Sequence, residues 1–146
     1  MVIPYLDMSH AEIVAFLQPP LLAIVGTNRV NGAPQLSPVW YLYEDDKIYV
    51  SMHMESAKYK NLSRDPRMTV CIAGENLDAR AVTFSGPVAL FPSGSQPWID
   101  DVEWKIVRRY YDSDEGARRY LESDNDAAES AIAVLSPNKI IAQNYN

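Results

Sequence analysis

The sequence predicts a mainly β domain with peripheral helices, about six or seven antiparallel strands that close, or nearly close, into a barrel. Three observations lead there. Segments rich in β-branched and aromatic residues follow one another along the chain. Tight-turn chemistry separates them, at Asn31-Gly32, Glu44-Asp45-Asp46 and Ser136-Pro137-Asn138. Helical periodicity is confined to short stretches at the connections. A chain of 146 residues reads as one domain, 1–146. At that size folding buries roughly 70% of the extended chain's surface, enough for a core without staples.

Each element has its own signal. Ser9-His10-Ala11-Glu12 has the form of a capping box, and Ile13, Val14, Phe16 and Leu17 follow at helical spacing, so a helix runs over about residues 10–17 until Pro19-Pro20 stops it. LLAIVGT, 21–27, is a buried strand, and Asn31-Gly32 turns the chain into APQLSPVWYLYE, 33–44, a second strand. Pro34 and Pro38 place that strand at an edge, at a bulge or against a ligand. KIYVSMHM, 47–54, alternates, with Ile48, Val50 and Met52 on one face and Tyr49, Ser51 and His53 on the other. A short helix over 56–64 is capped by Ser56 and closed by Asp65-Pro66. RMTVCIA, 67–73, and ARAVTFSGPVALF, 79–91, are strands, the second bent at Ser85-Gly86-Pro87. WIDDVEWKIVRRYY, 98–111, carries Trp98, Val102, Ile106 and Tyr110 on one helical face, and a shorter helix follows within 112–121. AIAVLSPNKIIAQNY, 131–145, supplies the last strands.

Composition excludes several functions. The formal charge of −6 argues against a general nucleic-acid or anionic-membrane partner. Two histidines and one cysteine, widely spaced, match no zinc pattern. Cys71, inside an apolar run, reads as a buried thiol. No stretch is long and apolar enough for a membrane helix, and Asp7 and Glu12 stand where a leader would be basic, so a cytoplasmic protein is expected.

One placement needs explaining in so acidic a chain. On the 56–64 helix, Lys58, Asn61, Leu62 and Asp65 fall on one stripe, while Lys60 and Arg64 fall on another. Leu62 must face the core, so Lys58 lies against the barrel, and Lys60 is solvated. A cation in a first helical turn opposes the helix dipole, and an anion such as phosphate bound there resolves the conflict. Spacing alone leaves a plain surface helix open as well.

The order of these segments carries a resemblance. GAPQLSPVWYLYEDDKIYVSM followed by ESAKYKNLSRDPRMTVCI resembles the pyridoxamine 5′-phosphate oxidase-like split β-barrel flavin and deazaflavin oxidoreductases, over about residues 15–91. The resemblance implies a homodimer with the cofactor in a groove between two chains. It places Gln35, Ser37, Pro38, Val39 and Trp40 along the cofactor ring, Ser51 and Met52 beside it, and Ser56, Lys58 and Asn61 at its phosphate. No side chain is expected to act as a catalytic acid or base, because the cofactor carries the hydride. The SPVW stretch is similar to members using coenzyme F420, which implies hydride transfer to a small unsaturated or conjugated substrate. FMN is the alternative cofactor, and a non-catalytic flavin or haem carrier is the alternative function. Two positions depart from the family pattern. Ala57 stands where FMN-using oxidases carry arginine, and Phe84-Ser85-Gly86 stands where many relatives carry a Glu-Gly pair.

Overall fold

The computed structural model describes residues 3–123 and 129–146, with backbone alone at 3–5. Among the described residues nine strands and four helices run in the order β1 (Ile3–Leu6), α1 (His10–Leu17), β2 (Ala23–Thr27), β3 (Gln35–Val39), β4 (Leu42–Glu44), β5 (Lys47–His53), α2 (Ala57–Arg64), β6 (Arg67–Ala73), β7 (Arg80–Pro92), α3 (Ile99–Arg108), α4 (Asp114–Ser123), β8 (Ser130–Leu135) and β9 (Lys139–Asn144). Seven strands form the path β3-β2-β6-β7-β8-β5-β4; β9 joins it through β7, and β1 through β9. The result is a split β-barrel. All pairings are antiparallel except β1 with β9, which is parallel.

Two departures from the sequence reading shape the molecule. The expected single strand over 33–44 is two strands, because Gln35–Val39 pairs with β2 and Leu42–Glu44 pairs with β5. The chain crosses from one half-sheet to the other at Trp40-Tyr41. The strand β1 adds an element that the sequence reading did not contain.

The long strand β7 holds the halves together. Residues 81–87 pair with β6, and from Val88 onward the strand pairs with β8. Gly86 marks the change. A Cβ there would stand 2.5 Å from the Ser136 carbonyl oxygen, with the Asn138 nitrogen at 3.0 Å. Both are backbone atoms and cannot swing aside. Gly86→Ala is therefore expected to destabilise the fold by about 1–3 kcal/mol, read as a lower urea midpoint at unchanged slope. An unshifted midpoint would show that the 136–138 turn yields.

Two cores result. Inside the barrel lie Phe16, Leu17, Val25, Ile48, Val50, Leu62, Val70, Ile72, Val82 and Phe84. Outside it, α3 covers the other half-sheet through Ile99, Val102 and Ile106 on Leu42, Ile132 and Val134. This explains two sequence patterns. β5 turns Ile48, Val50 and Met52 into the barrel and Tyr49, Ser51 and His53 toward the opposite face. β8 is buried on both faces, so its six residues, SAIAVL, show no alternation. Each fully buried Leu, Ile or Val contributes roughly 1.5–3 kcal/mol. Cys71 is not buried as expected. It lies half-exposed on the outer face of β6, between the inward Val70 and Ile72.

The helix ends and turns follow their local chemistry. Ser9 and Glu12 form the reciprocal capping box on α1. Asp45 and Asp46 turn β4 into β5 with φ of 54° and 60°, the left-handed pair a two-residue hairpin needs. α3 and α4 begin at Ile99 and Asp114.

Candidate functional site

A cleft of about 470 Å³ opens between the β5–β8 face and the α3–α4 pair. The end of β3 brings Pro38, Val39 and Trp40 to it. β5 brings Ser51, Met52 and His53. Glu103, Ile106 and Val107 enter from α3, and Tyr120 and Leu121 from α4. Five of the ten residues singled out in the sequence thus meet in one place. Met52 faces the barrel with Ile48 and Val50, yet still reaches the cleft wall.

Aromatic packing fixes the mouth. Trp40 stacks parallel on Tyr110, with ring centroids 4.7 Å apart at 7°. Tyr120 stands 5.3 Å from Trp40. Behind them the Arg109 guanidinium lies over the Tyr41 and Tyr110 rings and donates to the carbonyls of Tyr41, Leu17, Gln18 and Pro19. Polar groups gather on the β5 side. Ser51 Oγ donates to Glu103 Oε1 at 2.8 Å. His53 Nε2 lies 3.4 Å from Glu129 Oε2, and its Nδ1 accepts from the Glu55 N–H.

The start of α2 is tied to this cleft through His53, which lines it. The Ser56 hydroxyl caps the helix, accepting from the Tyr59 N–H and donating to the His53 carbonyl at 2.7 Å. Two residues on, Lys58 is half-buried. Burial holds its ammonium below the ordinary lysine range. Among the described residues nothing pairs with it. Lys60 is exposed and sits 3.6 Å from Glu55. The helical stripes therefore divide the two lysines as their spacing predicts.

Asn61 and Gln35 are tied to the protein itself. Asn61 Nδ2 donates to Thr27 Oγ1 at 3.1 Å, and Thr27 Oγ1 donates to Gln35 Oε1 at 3.4 Å. Arg64 donates to Asn61 Oδ1 and to the Asn28 carbonyl. Asn28 and Arg67 in turn hold Asp65, whose carboxyl is brought down to about 2, chiefly by Arg67. This chain of contacts pins α2 to the β2–β3 hairpin and so fixes where Lys58 stands. Ser37 Oγ is buried and unpartnered among the described residues.

The corner suits a phosphate-bearing cofactor. It offers a half-buried cation without counter-charge among the described residues, an N-cap hydroxyl and the start of a helix. Ala57 between them adds only a methyl group. The sequence reading missed Glu103, Tyr120 and Leu121. Glu103, Ile106 and Val107 share one helical face, i, i+3 and i+4, and that spacing was the available signal. No group of metal-ligating side chains occurs among the described residues, and none of their helices is long and apolar enough to cross a membrane.

The split barrel defines the class of fold. A family model described as pyridoxamine 5′-phosphate oxidase matches residues 9–142, and the chain belongs to that family. Solved structures agree on the fold. A conserved hypothetical protein from Mycobacterium tuberculosis superimposes with a TM-score of 0.76 at 24% identity, covering 94% of this chain and 85% of that one. An F420 reductase gives 0.69 at 20% identity, covering 86% and 93%. The haem storage protein from Vibrio cholerae gives 0.64 at 17% identity, covering 88% and 89%.

Proposed function

We propose that this chain is an oxidoreductase that binds coenzyme F420 at the seam of a cytoplasmic homodimer and reduces a small unsaturated or conjugated substrate. The observation that carries the reading is Lys58. A half-buried ammonium to which no described residue offers a counter-charge costs stability, and an anionic ligand offsets that cost. Ser56 and the first turn of α2 complete the anion corner, and Asn61, held through Thr27, positions the helix. Pro38, Val39, Trp40, Ser51 and Met52 wall the adjoining cleft, and Gln35 and Ser37 precede them on β3. The bound cofactor supplies the hydride. The chain's residues orient ring and acceptor and exclude water.

Two features weigh between the cofactors and between enzyme and carrier. Ala57 removes the arginine fork that would grip FMN phosphate bidentately, which favours F420. Trp40 and Met52 line the cleft without filling it, which favours an enzyme over a carrier.

Separate fluorescence titrations with F420 and FMN test the reading. F420 is expected to bind about tenfold tighter or better, a difference of roughly 1.4 kcal/mol. Tighter FMN binding would transfer the assignment to a flavin enzyme. Binding of neither would remove the cofactor reading.

A further inference from the structure

The two half-sheets differ on their outer sides. α3 covers the β4–β5–β8 half through Ile99, Val102 and Ile106. On the β3-β2-β6-β7-β9 half, α1 and α2 pack into the barrel interior, and no described helix lies on the outer face. The strand register lines up one row across that face, Pro38, Ile24, Cys71, Thr83 and Ile141. Ile24, Cys71 and Thr83 each stand between two buried neighbours, so all three point outward. A strand wet on one face alternates apolar with polar residues. LLAIV and MTVCI do not, and read as buried on both sides. The fold buries one side and leaves Ile24 39% exposed. The sequence thus records a cover that one chain does not supply.

Deepening the homodimer of the proposed function, we infer that a second copy of this chain covers this face, about a two-fold axis near Cys71. Charge selects the copy over other occupants. The row holds no charged side chain, and Arg67 and Lys139 stand at one end of the face. A basic partner would find no carboxylates there, and an anionic membrane would meet a chain of −6. Two acidic chains, in contrast, approach best where neither presents charge. The area also suits a dimer. Five strands about 4.8 Å apart and some 20 Å long project roughly 500 Å². The turns at the two ends, which expose Val30 and Leu77, add to it. A stable dimer buries roughly 600–1,000 Å² per partner. A two-fold axis sets the Val30 end of one chain against the Leu77 end of the other. Leu22 and Pro38 border this face and also line the cleft, so the second copy walls the cleft on that side.

Cys71 reports on the face directly, because it is the chain's single cysteine and lies at the middle of the row. The full chain without F420 is alkylated with N-ethylmaleimide over a range of protein concentrations, while sedimentation follows the mass. A dimer is expected, with the alkylation rate falling at least about tenfold as the chain passes from monomer to dimer. Ile24→Glu sets two carboxylates into the interface and should raise the dimer dissociation constant at least about 100-fold. Its Cys71 should then react at the monomer rate at every concentration. A wild-type chain that stays monomeric at tens of micromolar overturns the inference. So does a dimer whose Cys71 reacts as fast as the monomer's, since the contact then lies elsewhere; this arm needs no variant to fold. An undiminished dimer in Ile24→Glu overturns it too. An F420 titration of the same dimer reports separately on the oxidoreductase reading, which fails if no cofactor binds while this interface stands.

Discussion

Replacing Arg109 by methionine is expected to cost about 3 kcal/mol of stability. Its guanidinium donates to the carbonyls of Leu17 and Pro19 at 3.0 and 2.9 Å, to that of Gln18, and to that of Tyr41. These are carbonyls at and just past the end of α1 together with the crossing point between β3 and β4. Methionine keeps the stem's packing and leaves the carbonyls without their charged donor. It also removes the cation from the Tyr41 and Tyr110 rings, 4.4 and 5.4 Å from their centroids. At this chain length a loss of that size lowers the melting temperature by roughly 6–12 °C. Lysine should rescue it poorly, because one ammonium cannot fork to several carbonyls. Thermal unfolding followed by circular dichroism decides it. A shift of under about 2 °C would mean that water replaces the guanidinium at little cost.

The same residue shows why part of the fold was hidden in the sequence. From Ala33 to Glu44 the chain reads as one unbroken strand. The break at Trp40-Tyr41 is imposed from 69 residues away, where the Tyr110 hydroxyl accepts the Tyr41 N–H. Tyr41 in turn donates to the Leu17 carbonyl at 2.9 Å. No local pattern records such a partner. β1 is hidden for a related reason, since four residues pair in parallel with the far end of the chain. By contrast β5 was legible face by face, because the barrel buries one side and the other turns to α3 and the cleft. β6 was half legible. MTVCIA is apolar at nearly every position, which masks an alternation that puts Met68, Val70 and Ile72 inside and Cys71 outside.

The candidate site divides along the same line. The local part, Ser56 and Lys58, follows from cap chemistry and the angle between helical stripes. The cleft required three elements to meet. Ser51 and Glu103 are 52 residues apart in sequence, and only the packing of α3 on the second half-sheet brings them together. Pro38, Val39 and Trp40 entered through the family resemblance, not through periodicity.

Lys58→Ala is expected to separate binding from stability. If the lysine were structural, its removal would weaken the fold. The structure gives the opposite expectation, because burial disfavours its charge and no partner among the described residues offsets that cost. Melting temperature should hold or rise, the usual mark of a residue kept for function. F420 affinity should meanwhile fall by roughly 1.5–3 kcal/mol, or about ten- to 150-fold, the loss of a charged hydrogen bond to phosphate. Lys60→Ala is the matched control. Its ammonium is exposed and faces Glu55 at 3.6 Å, so affinity and stability should both stay within about 0.5 kcal/mol of wild type. The affinity loss should also shrink in high salt, as an electrostatic contact requires. A lower melting temperature with unchanged F420 affinity in Lys58→Ala would make Lys58 a structural residue, and equal losses in both variants would reduce the effect to general charge. Either result moves the phosphate away from the start of α2, and with it the reason to place a cofactor beside this cleft.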